Sequence, residues 1–191
     1  MRPGGLDFST MRPIAIRAAD SERDAAACAA IYAPHVEAGA TSFEERAPSA
    51  EEIAARIERI TKTHPWLVAV LDGKVVAYAY ACQHRERPAY RWAADVSVYV
   101  ADAQRRQGIG RSLYESLLDR LRHQRYRVAC AGITLPNEAS VVLHEQLGFA
   151  AVGVYRGIGW KAGAWRDVGW WQLDLSAAAG PPSEPLAPGT P

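Results

Sequence analysis

The sequence predicts one α/β domain of the α+β kind, with a mixed, mainly antiparallel central sheet of about seven strands and about four flanking helices. The 191 residues are 49% apolar and 23% charged, which is enough apolar material for one well-packed core. Strand-like and helix-like segments follow one another in the order β-α-α-β-β-β-α-β-α-β-β. Adjacent strands indicate hairpins, whereas the later alternation indicates a βαβ unit. A sheet built from both is mixed and carries helices on both faces.

Four helices are predicted from capping residues and apolar spacing. Asp20 or Ser21 can cap the first, which runs through an alanine-rich stretch to about residue 37. Ser49 and Glu52 have the spacing of a capping box at the start of the second. The other two helices are predicted over 108–124 and 137–147.

Strands are predicted where β-branched and aromatic residues cluster between turn residues. The Asp72-Gly73 pair separates two such runs, at 66–71 and 75–80, and is typical of a β-hairpin turn. The remaining strands are predicted at 14–17, 91–100, 128–134, 150–158 and 168–175.

Charge and hydropathy argue against two classes of partner. The formal net charge is +1, which gives no electrostatic reason to expect a nucleic acid or a membrane surface. No apolar run approaches the ~20 residues that a bilayer span needs, and residues 1–10 lack the apolar segment of a secretory signal. Cys28, Cys82 and Cys130 are widely spaced, which favours buried free thiols in a reducing cytoplasm. The five histidines lack the spacing of metal ligands, so no metal is expected.

The chain divides into three predicted regions. Residues 1–11 are interpreted as an N-terminal extension, since Met-Arg-Pro occurs at 1–3 and again at 11–13. Residues 12–175 hold all the predicted strands and helices and form the folded domain. Residues 176–191 contain too few core-forming side chains to offset the entropy of ordering, so a disordered C-terminal tail is expected.

The strongest functional signal is the segment 104–111, Gln-Arg-Arg-Gln-Gly-Ile-Gly-Arg, which joins a β-branched run to a helical run. A basic, glycine-containing turn from a strand into a helix favours anions. The helix N-terminus presents unpaired N–H groups, and glycine lets a ligand approach the backbone. The segment lacks the Lys-Ser/Thr of a P-loop and the three-glycine spacing of a dinucleotide fingerprint. The alternative is an ordinary strand-to-helix turn with a basic start.

Four segments, 64–73, 97–111, 135–149 and 159–175, carry a family resemblance, and the last two are the most specific because many residues match in fixed order. They resemble the phosphinothricin N-acetyltransferase branch of the GCN5-related N-acetyltransferases (GNAT). The resemblance implies the GNAT fold, acetyl-CoA as donor, and the α-amine of a small amino acid as acceptor. Acceptors of this branch are phosphinothricin, methionine sulfoximine and methionine sulfone. It further implies a homodimer with the acceptor pocket near the subunit interface.

Two residues are implied to handle protons in the reaction. An ammonium must lose a proton before its nitrogen attacks a thioester, and Asp95 stands where the family typically has a Glu. Asp is one methylene shorter, so a bridging water becomes more plausible than direct contact. The alternative is a strand-end carboxylate that holds backbone N–H groups or an arginine. His144 occupies the family position of a second proton-handling group, with a purely structural histidine as its alternative.

The donor-binding residues implied by the resemblance come from one strand, the basic loop and the next strand-to-helix connection. Backbone groups of Val98, Tyr99 and Val100 are expected to pair with the pantetheine amides, and the Val98 N–H is expected to stabilise the oxyanion. The Tyr99 hydroxyl could serve the leaving thiolate, although strand tyrosines usually pack. The CoA-binding residues expected outside this strand are Arg105, Arg106, Gln107, Gly108, Ile109, Gly110, Arg111 and Asn137.

The acceptor site is expected in the basic loop 83–90 and its neighbours. Arg85 and Arg87 could clamp a carboxylate or phosphinate, with a charged hairpin end as the alternative. Phe43 and Tyr90 resemble the aromatic walls of the family's pocket, and Ser97 is a plausible hydrogen-bond donor within it. The tryptophans of the C-terminal segment, Trp160, Trp165, Trp170 and Trp171, could belong to the core, an interface or a pocket lid, and core or interface is favoured.

The leading functional hypothesis is an N-acetyltransferase that works by direct attack in a ternary complex, because no cysteine lies in a setting that suggests an acetyl-enzyme. One alternative is acetylation of a peptide or protein N-terminus, against which the compact set of Arg, Tyr and Phe side chains argues. Another is a CoA-binding protein without catalysis, which the Asp at position 95 favours and the intact donor segments oppose.

Overall fold

One seven-stranded sheet forms the centre of the molecule in the computed structural model, which describes residues 14–177 and 180–189. The strand order is β1-β2-β3-β4-β5-β7-β6, and every neighbouring pair is antiparallel except β4 with β5. The predicted mixed, mainly antiparallel sheet is therefore confirmed, while the extension expected over 1–11 lies outside the described residues. The strands are β1 Ala15–Ala18, β2 Trp66–Leu71, β3 Lys74–Gln83, β4 Ala93–Val100, β5 Val128–Leu135, β6 Ala150–Lys161 and β7 Ala164–Asp174.

Four helices flank the sheet, and both predicted N-terminal caps are confirmed. The Asp20 side chain accepts from the Arg23 N–H at 2.9 Å. The Glu52 N–H donates to Ser49 Oγ at 3.2 Å, and the Ser49 N–H donates to the Glu52 carboxylate at 2.7 Å. The helices are α1 Ser21–Glu37, α2 Ala50–Ile60, α3 Ile109–His123 and α4 Glu138–Gln146, with 3-10 turns at Pro88–Tyr90 and Asp102–Gln104.

The sheet has a hydrophobic core on each face, as the mixed topology predicts. On one face α3 buries Leu113, Leu117 and Leu121 against the central strands. On the other face α1 and α2 pack over β2 and β3, with Ile53 and Ile57 fully buried. Among the described helices, none is both long enough and apolar enough to cross a membrane.

The pairing of β4 with β5 is short and ends abruptly. Only three rows pair, from Ala93 with Val128 to Asp95 with Cys130. Beyond them, 96–100 pair with β3 alone and 131–135 pair with β7 alone. Strands that twist apart after a short parallel ladder leave a wedge between them. The fold therefore opens a cleft in the sheet just after Asp95.

The C-terminal hairpin is longer than the sequence predicts. β6 and β7 continue to a turn at Ala162 and Gly163, where φ is 51° and 73°, whereas the predicted strands cover only 150–158 and 168–175. Glycines in this stretch weaken the local strand pattern, but pairing with β7 keeps the chain extended through a register shift after Tyr155. β6 is the edge strand, and most of its side chains are exposed.

The disordered tail expected over 176–191 stays a prediction, and within that segment Ser183 and Leu186 form hydrogen bonds with the domain. The Leu186 N–H donates to the Gln124 carbonyl at 2.9 Å, and Gln124 Nε2 donates to the Leu186 carbonyl at 2.6 Å. Trp92 Nε1 donates to the Ser183 carbonyl at 2.8 Å. Prolines stiffen this segment, so ordering it costs less entropy, and its backbone pairs with the main-chain carbonyl and with Nε2 of the buried Gln124.

Asp24 generates the first prediction. Its side chain is 1% exposed and accepts two hydrogen bonds from Arg17, at 2.6 and 2.8 Å. Burial raises the pKa of this carboxyl, but the hydrogen bonds from Arg17 and from the Asp20 N–H outweigh burial and hold it below its usual value. Asp24→Asn should lower the free energy of unfolding by about 3 kcal/mol at neutral pH, measured by urea unfolding. A depressed native pKa contributes stability above the unfolded pKa, so the difference from wild type should shrink as pH falls below about 4.

The matched control is Asp119→Asn, because Asp119 pairs with Arg122 at 2.7 Å on an exposed surface of α3. This variant should change the free energy of unfolding by less than about 1 kcal/mol. Equal losses in the two variants, or a loss at Asp24 that does not depend on pH, would contradict the assignment.

Candidate active site

The loop between β4 and α3 has the backbone of an anion site. Gly108 precedes α3 with φ of 79°, and no side chain of the described residues caps this helix. Arg106 also has a positive φ, 61°. Residues of this kind turn successive N–H groups toward one side, and the first N–H groups of a helix have no partner within it. A Cβ at position 108 would meet no atom within 4 Å, so the backbone conformation rather than crowding favours glycine there.

The side chains of this loop differ in how firmly they are held. Arg105 forms an ion pair with Asp102 at 2.7 Å, and Arg111 forms one with Glu115 at 2.9 Å. Arg106 is exposed and forms no ion pair with any described residue, so its guanidinium is free to meet a ligand. The other loop residues named from the sequence lie just before or inside the first turn of α3: Gln107, Ile109 and Gly110.

The cleft between β4 and β5 brings several predicted donor-site residues together. Ser97, Val98 and Tyr99 line it from β4, and Asn137 and His144 line it from α4. Along this cleft, the backbone N–H and C=O groups of β4 that point away from β3 have no strand to pair with. An extended ligand can bind to such groups as an added strand. The Asn137 side chain caps α4 by accepting from the Ser140 N–H at 3.2 Å. Val100 lies at the far end, where a Cβ at Gly110 would be 3.5 Å from its side chain.

His144 is buried, and both of its ring nitrogens have partners. Nδ1 lies 2.7 Å from the Ser140 carbonyl, so it carries the proton and donates. Nε2 lies 3.1 Å from the Tyr114 hydroxyl, which therefore donates to it. Burial lowers the pKa of His144 and favours its neutral form. The predicted proton-handling role is not tested by this geometry, and it would have to act through Tyr114.

Among the described residues, neither a backbone N–H nor an arginine donates a hydrogen bond to Asp95, although these were the partners expected in the alternative to a catalytic role. Its Oδ1 lies 2.6 Å from Nδ1 of His84, at the end of β3. Burial raises the pKa of Asp95, and the hydrogen bond and charge of His84 act in the opposite direction. Asp95 is also the last β4 residue paired with β5, so this His–Asp pair stands at the inner end of the cleft.

Cys130, opposite Asp95 on β5, completes a close group of polar side chains. The candidate ligand atoms of His84, Asp95 and Cys130 lie within 4.8 Å of one another, the one such group among the described residues. The 2.6 Å contact between His84 and Asp95 is an ordinary strong hydrogen bond, and it accounts for both side chains without an ion. The expectation that no metal takes part stays a prediction.

Three of the predicted acceptor residues lie near this pair. The Tyr90 ring centre is 5.9 Å from that of His84. The Arg85 guanidinium lies 5.7 Å from the centre of the Trp170 ring, and that ring is 6.0 Å from His84. Ser97 is two residues after Asp95 on the same strand, hence on the same sheet face. Arg85, Tyr90 and Ser97 therefore surround the inner end of the cleft.

Two other predicted acceptor residues lie elsewhere. Arg87 is exposed at the start of the 88–90 turn, and within the described chain it forms no ion pair. Phe43 is 40% exposed and lies flat on β6, where a Cβ at Gly159 would be 2.1 Å from its ring. The ring thus requires glycine at 159, and no contact joins either residue to Asp95.

The remaining aromatic predictions divide between packing and exposure. The Tyr99 ring packs against Tyr32 and Tyr78, with centres 4.8 and 5.2 Å away, and burial raises its pKa well above the usual value. The Tyr99 side chain therefore packs against other rings, as strand tyrosines usually do. Trp171 is buried and belongs to the core, whereas Trp160 and Trp165 are exposed.

Sequence reasoning missed His84 and Tyr114, and it favoured core or interface over a pocket lid for Trp170, which lies beside His84. His84 follows Gln83, which pairs with Ala94, so knowledge of the β3–β4 register would place it near Asp95. Tyr114 lies on the buried face of α3 and looks like a core residue in the sequence. Trp170 pairs with Gly132 across β7 and β5, and only that pairing brings it over the site.

A mixed seven-stranded sheet that separates beside a basic helix-start loop defines an acyl-transfer domain of the GNAT class. The chain matches the family described as Acetyltransferase (GNAT) domain over residues 16–170, and it belongs to that family. The recognition and the fold predicted from the sequence are thereby confirmed.

Relatives narrow the branch of the family. The chain is 38% identical over 179 residues to a phosphinothricin N-acetyltransferase of Streptomyces viridochromogenes, covering 94% of this chain and 96% of the relative. It is 35% identical over 167 residues to an L-methionine sulfoximine/L-methionine sulfone acetyltransferase of Salmonella typhimurium, covering 87% and 97%. A phosphinothricin acetyltransferase from Sinorhizobium meliloti, solved in complex with AcCoA, superimposes with a TM-score of 0.85 at 33% identity, covering 90% and 94%.

The cysteines generate the second prediction. Burial raises the pKa of Cys28 to about 12 and the pKa values of Cys82 and Cys130 to about 11, so all three stay as thiols near neutral pH. Because the thiolate is the reacting form, alkylation of the native protein by iodoacetamide should be slower than that of unfolded protein by about 10²-fold or more. Mass spectrometry of labelled peptides would measure each rate, with denatured protein as the control. A cysteine that reacts as fast as in the unfolded chain would contradict the assignment.

Proposed function

We propose that the chain is an acetyl-CoA-dependent N-acetyltransferase that modifies the α-amine of a small amino acid or analogue by direct attack. The observation that carries the proposal is the cleft between β4 and β5, which opens after Asp95 and leads along Val98 toward the loop before α3. An extended thioester with an anionic end matches such a cleft. The relatives named for acetylation of phosphinothricin and methionine sulfoximine support the choice of acceptor.

On the donor side, the proposal assigns backbone groups before side chains. Open groups of Val98–Val100 bind the pantetheine arm as an added strand, and the Val98 N–H stabilises the oxyanion of the tetrahedral intermediate. The N–H groups around Gly108, together with Arg106, hold the pyrophosphate. Arg105 and Arg111, which ion pairs with Asp102 and Glu115 hold in place, contribute further guanidinium groups to this end of the cleft. Asn137 contacts CoA from the far wall of the cleft.

On the acceptor side, the proposal uses the groups around the His84–Asp95 pair. Arg85 binds the anionic end of the amino acid, while Tyr90 and Ser97 contact its body. Asp95 acts in removal of the ammonium proton. Burial raises the pKa of Tyr114, so this hydroxyl stays protonated beside His144, and the departing sulfur can accept a hydrogen bond from it.

A second candidate function is acetylation of a protein N-terminus. A solved ribosomal-protein-alanine N-acetyltransferase from Brucella melitensis superimposes with a TM-score of 0.81 at 34% identity, covering 84% of this chain and 99% of that one. Against it, Trp170 and Arg85 crowd the inner end of the cleft, which favours a compact acceptor.

The third prediction is thiol release from acetyl-CoA by purified protein. Phosphinothricin, methionine sulfoximine, methionine sulfone and an alanine-initiated peptide would be assayed in parallel, with a thiol-reactive dye. At least one of the three amino acids should give saturable release, because the site offers a cation and a compact wall. The N-acetylated form of the amino acid that reacts is the matched control. It should give no thiol release, because its amine is blocked.

The outcomes separate the candidates. Release with the peptide but with none of the amino acids would replace the proposal with protein N-terminal acetylation. Binding of acetyl-CoA without release in any arm would support a CoA-binding protein without catalysis.

The proposal includes a homodimer formed through the β6–β7 hairpin. A hairpin at the edge of a sheet is open to pairing, and its exposed apolar side chains form a patch of the kind that marks protein interfaces. The exposed large apolar side chains of this hairpin are Val152, Val154, Tyr155, Ile158, Trp160 and Trp165.

The fourth prediction tests this interface. Ile158→Asp together with Trp165→Arg should convert a dimer into a monomer, measured by light scattering after gel filtration, because charges would be buried without partners. Val142→Lys is the control, since Val142 is 43% exposed and lies on α4 rather than on either strand of the hairpin. A wild-type protein that is monomeric at micromolar concentration, or a double variant that stays dimeric, would contradict the proposal.

We further propose a cytoplasmic location. The support is chemical: Cys28, Cys82 and Cys130 are free in the structure, and unpaired thiols are usual in a reducing compartment. Fractionation of the native host with an antibody to the chain would test it.

A further inference from the structure

We propose that the imidazole of His84 takes the proton from the acceptor ammonium, and that Asp95 is a positioning residue that orients this imidazole. The inference rests on the proposed acetyl transfer and names the proton acceptor within it. It follows from where β3 ends, from the hydrogen bond between the two side chains, and from the position of Asp95 at the inner end of the cleft.

The hydrogen bond between the two side chains selects the tautomer of His84. A carboxylate can only accept, so the 2.6 Å contact requires the proton on Nδ1 and leaves a lone pair on Nε2. No described residue binds Nε2. The His84 side chain keeps 16% of its surface exposed, so an acceptor can reach the ring.

Asp95 is poorly placed to act alone. It is one methylene shorter than a glutamate, and its Oδ1 is committed to the hydrogen bond with His84. Its Cα lies between Cys82 of β3 and Cys130 of β5, so its backbone is fixed by strand pairing on both sides. Because Nδ1 of the imidazole binds the carboxylate, Nε2 on the other side of the ring lies farther from the sheet and can meet the acceptor amine.

The groups that face His84 fit this role. Arg85 and Tyr90 come from the loop that follows β3, and Trp170 comes from β7. Cys82 and Cys130 border Asp95 as neutral thiols, because burial raises their pKa values to about 11. Asp95 is therefore the one anion in contact with the ring among the described residues, and it stabilises the imidazolium that forms.

Protons and electrons balance in the proposed transfer. Nε2 takes one proton from the ammonium, and His84 becomes an imidazolium that still donates from Nδ1 to Asp95. The amine lone pair forms a bond to the thioester carbon, and the tetrahedral intermediate collapses with loss of the C–S bond. The second nitrogen proton passes to the thiolate, and His84 later returns its proton to water. The products are the N-acetyl amino acid, free CoA thiol and one proton.

The fifth prediction compares His84→Ala with His123→Gln, a histidine exposed at the end of α3. His84→Ala should lose about 10²–10⁴-fold in kcat/KM, whereas the control should match wild type. Acetyl-CoA affinity and Tm should stay unchanged in both. Added imidazole should restore part of the rate of His84→Ala, because the deleted ring leaves a space beside Tyr90 and Trp170. A chelator is present throughout, so trace metal cannot alter the result.

A second pair of variants tests the division of labour. Asp95→Asn should lower kcat and move the acid limb of the pH profile, because the carboxylate no longer stabilises the imidazolium. Adding Asp95→Glu to His84→Ala should recover part of the lost rate, since the longer carboxylate reaches into the vacated space. A His84→Ala variant within about threefold of wild type would overturn the relay. So would a folded, CoA-binding His84→Ala variant that neither imidazole nor Asp95→Glu rescues.

Failure of the proposed function has a different signature. If the parent protein releases no thiol with any amine, acetyl transfer is wrong, and the pair is judged by NMR of the His84 ring, assigned with His84→Gln. In the parent the ring should carry a proton on Nδ1, held by the hydrogen bond to Asp95, and ¹⁵N shifts should show that Asp95→Ala loses this preference. A ring with its proton on Nε2 in the parent, or with the same tautomer in both proteins, would overturn the proposed pair.

Discussion

The separation of β4 from β5 after three paired rows is the constraint on which the rest of the site depends. Up to Asp95, β4 and β5 pair with each other through their backbone groups. Beyond it, β4 pairs only with β3, and β5 pairs only with β7. An open backbone edge inside a sheet is costly unless something occupies it. The cleft is therefore a gap in the fold, and it is where we propose that the donor binds. The basic loop before α3 lies at one end of it, and the His84–Asp95 pair lies at the other.

The two ends of the cleft are built by different means. The donor end relies on backbone, through the left-handed Gly108, the first turn of α3 and the open edge of β4. The proposed acceptor end relies on side chains of β4, of β7 and of the segment after β3, among them Asp95, Trp170 and His84. A site made of backbone groups keeps its shape when the side chains of its residues are substituted. A pocket made of side chains changes with every substitution. This contrast explains how one fold can keep its donor and vary its acceptor.

Predictions from local pattern succeeded where local chemistry decides the outcome. The capping box at Ser49 and the hairpin turn at Asp72 depend on residues a few positions apart, and both formed as expected. The length of β6 and the hydrogen bonds of Leu186 depend on distant partners, namely β7 and Gln124. The contact of His84 with Asp95 depends on strand register, which spacing in the sequence does not reveal.

By itself, the sequence determined the class of fold, the order of its strands and helices, the position of the basic, glycine-containing loop before α3, and the family to which the chain belongs. These follow from periodicity, turn chemistry and residues adjacent along the chain. Only the tertiary structure decided which side chains meet. It paired Asp95 with His84, gave both nitrogens of His144 to Ser140 and Tyr114, and placed Phe43 on Gly159. Such contacts join residues far apart in the chain, and sheet register and helix packing bring them together.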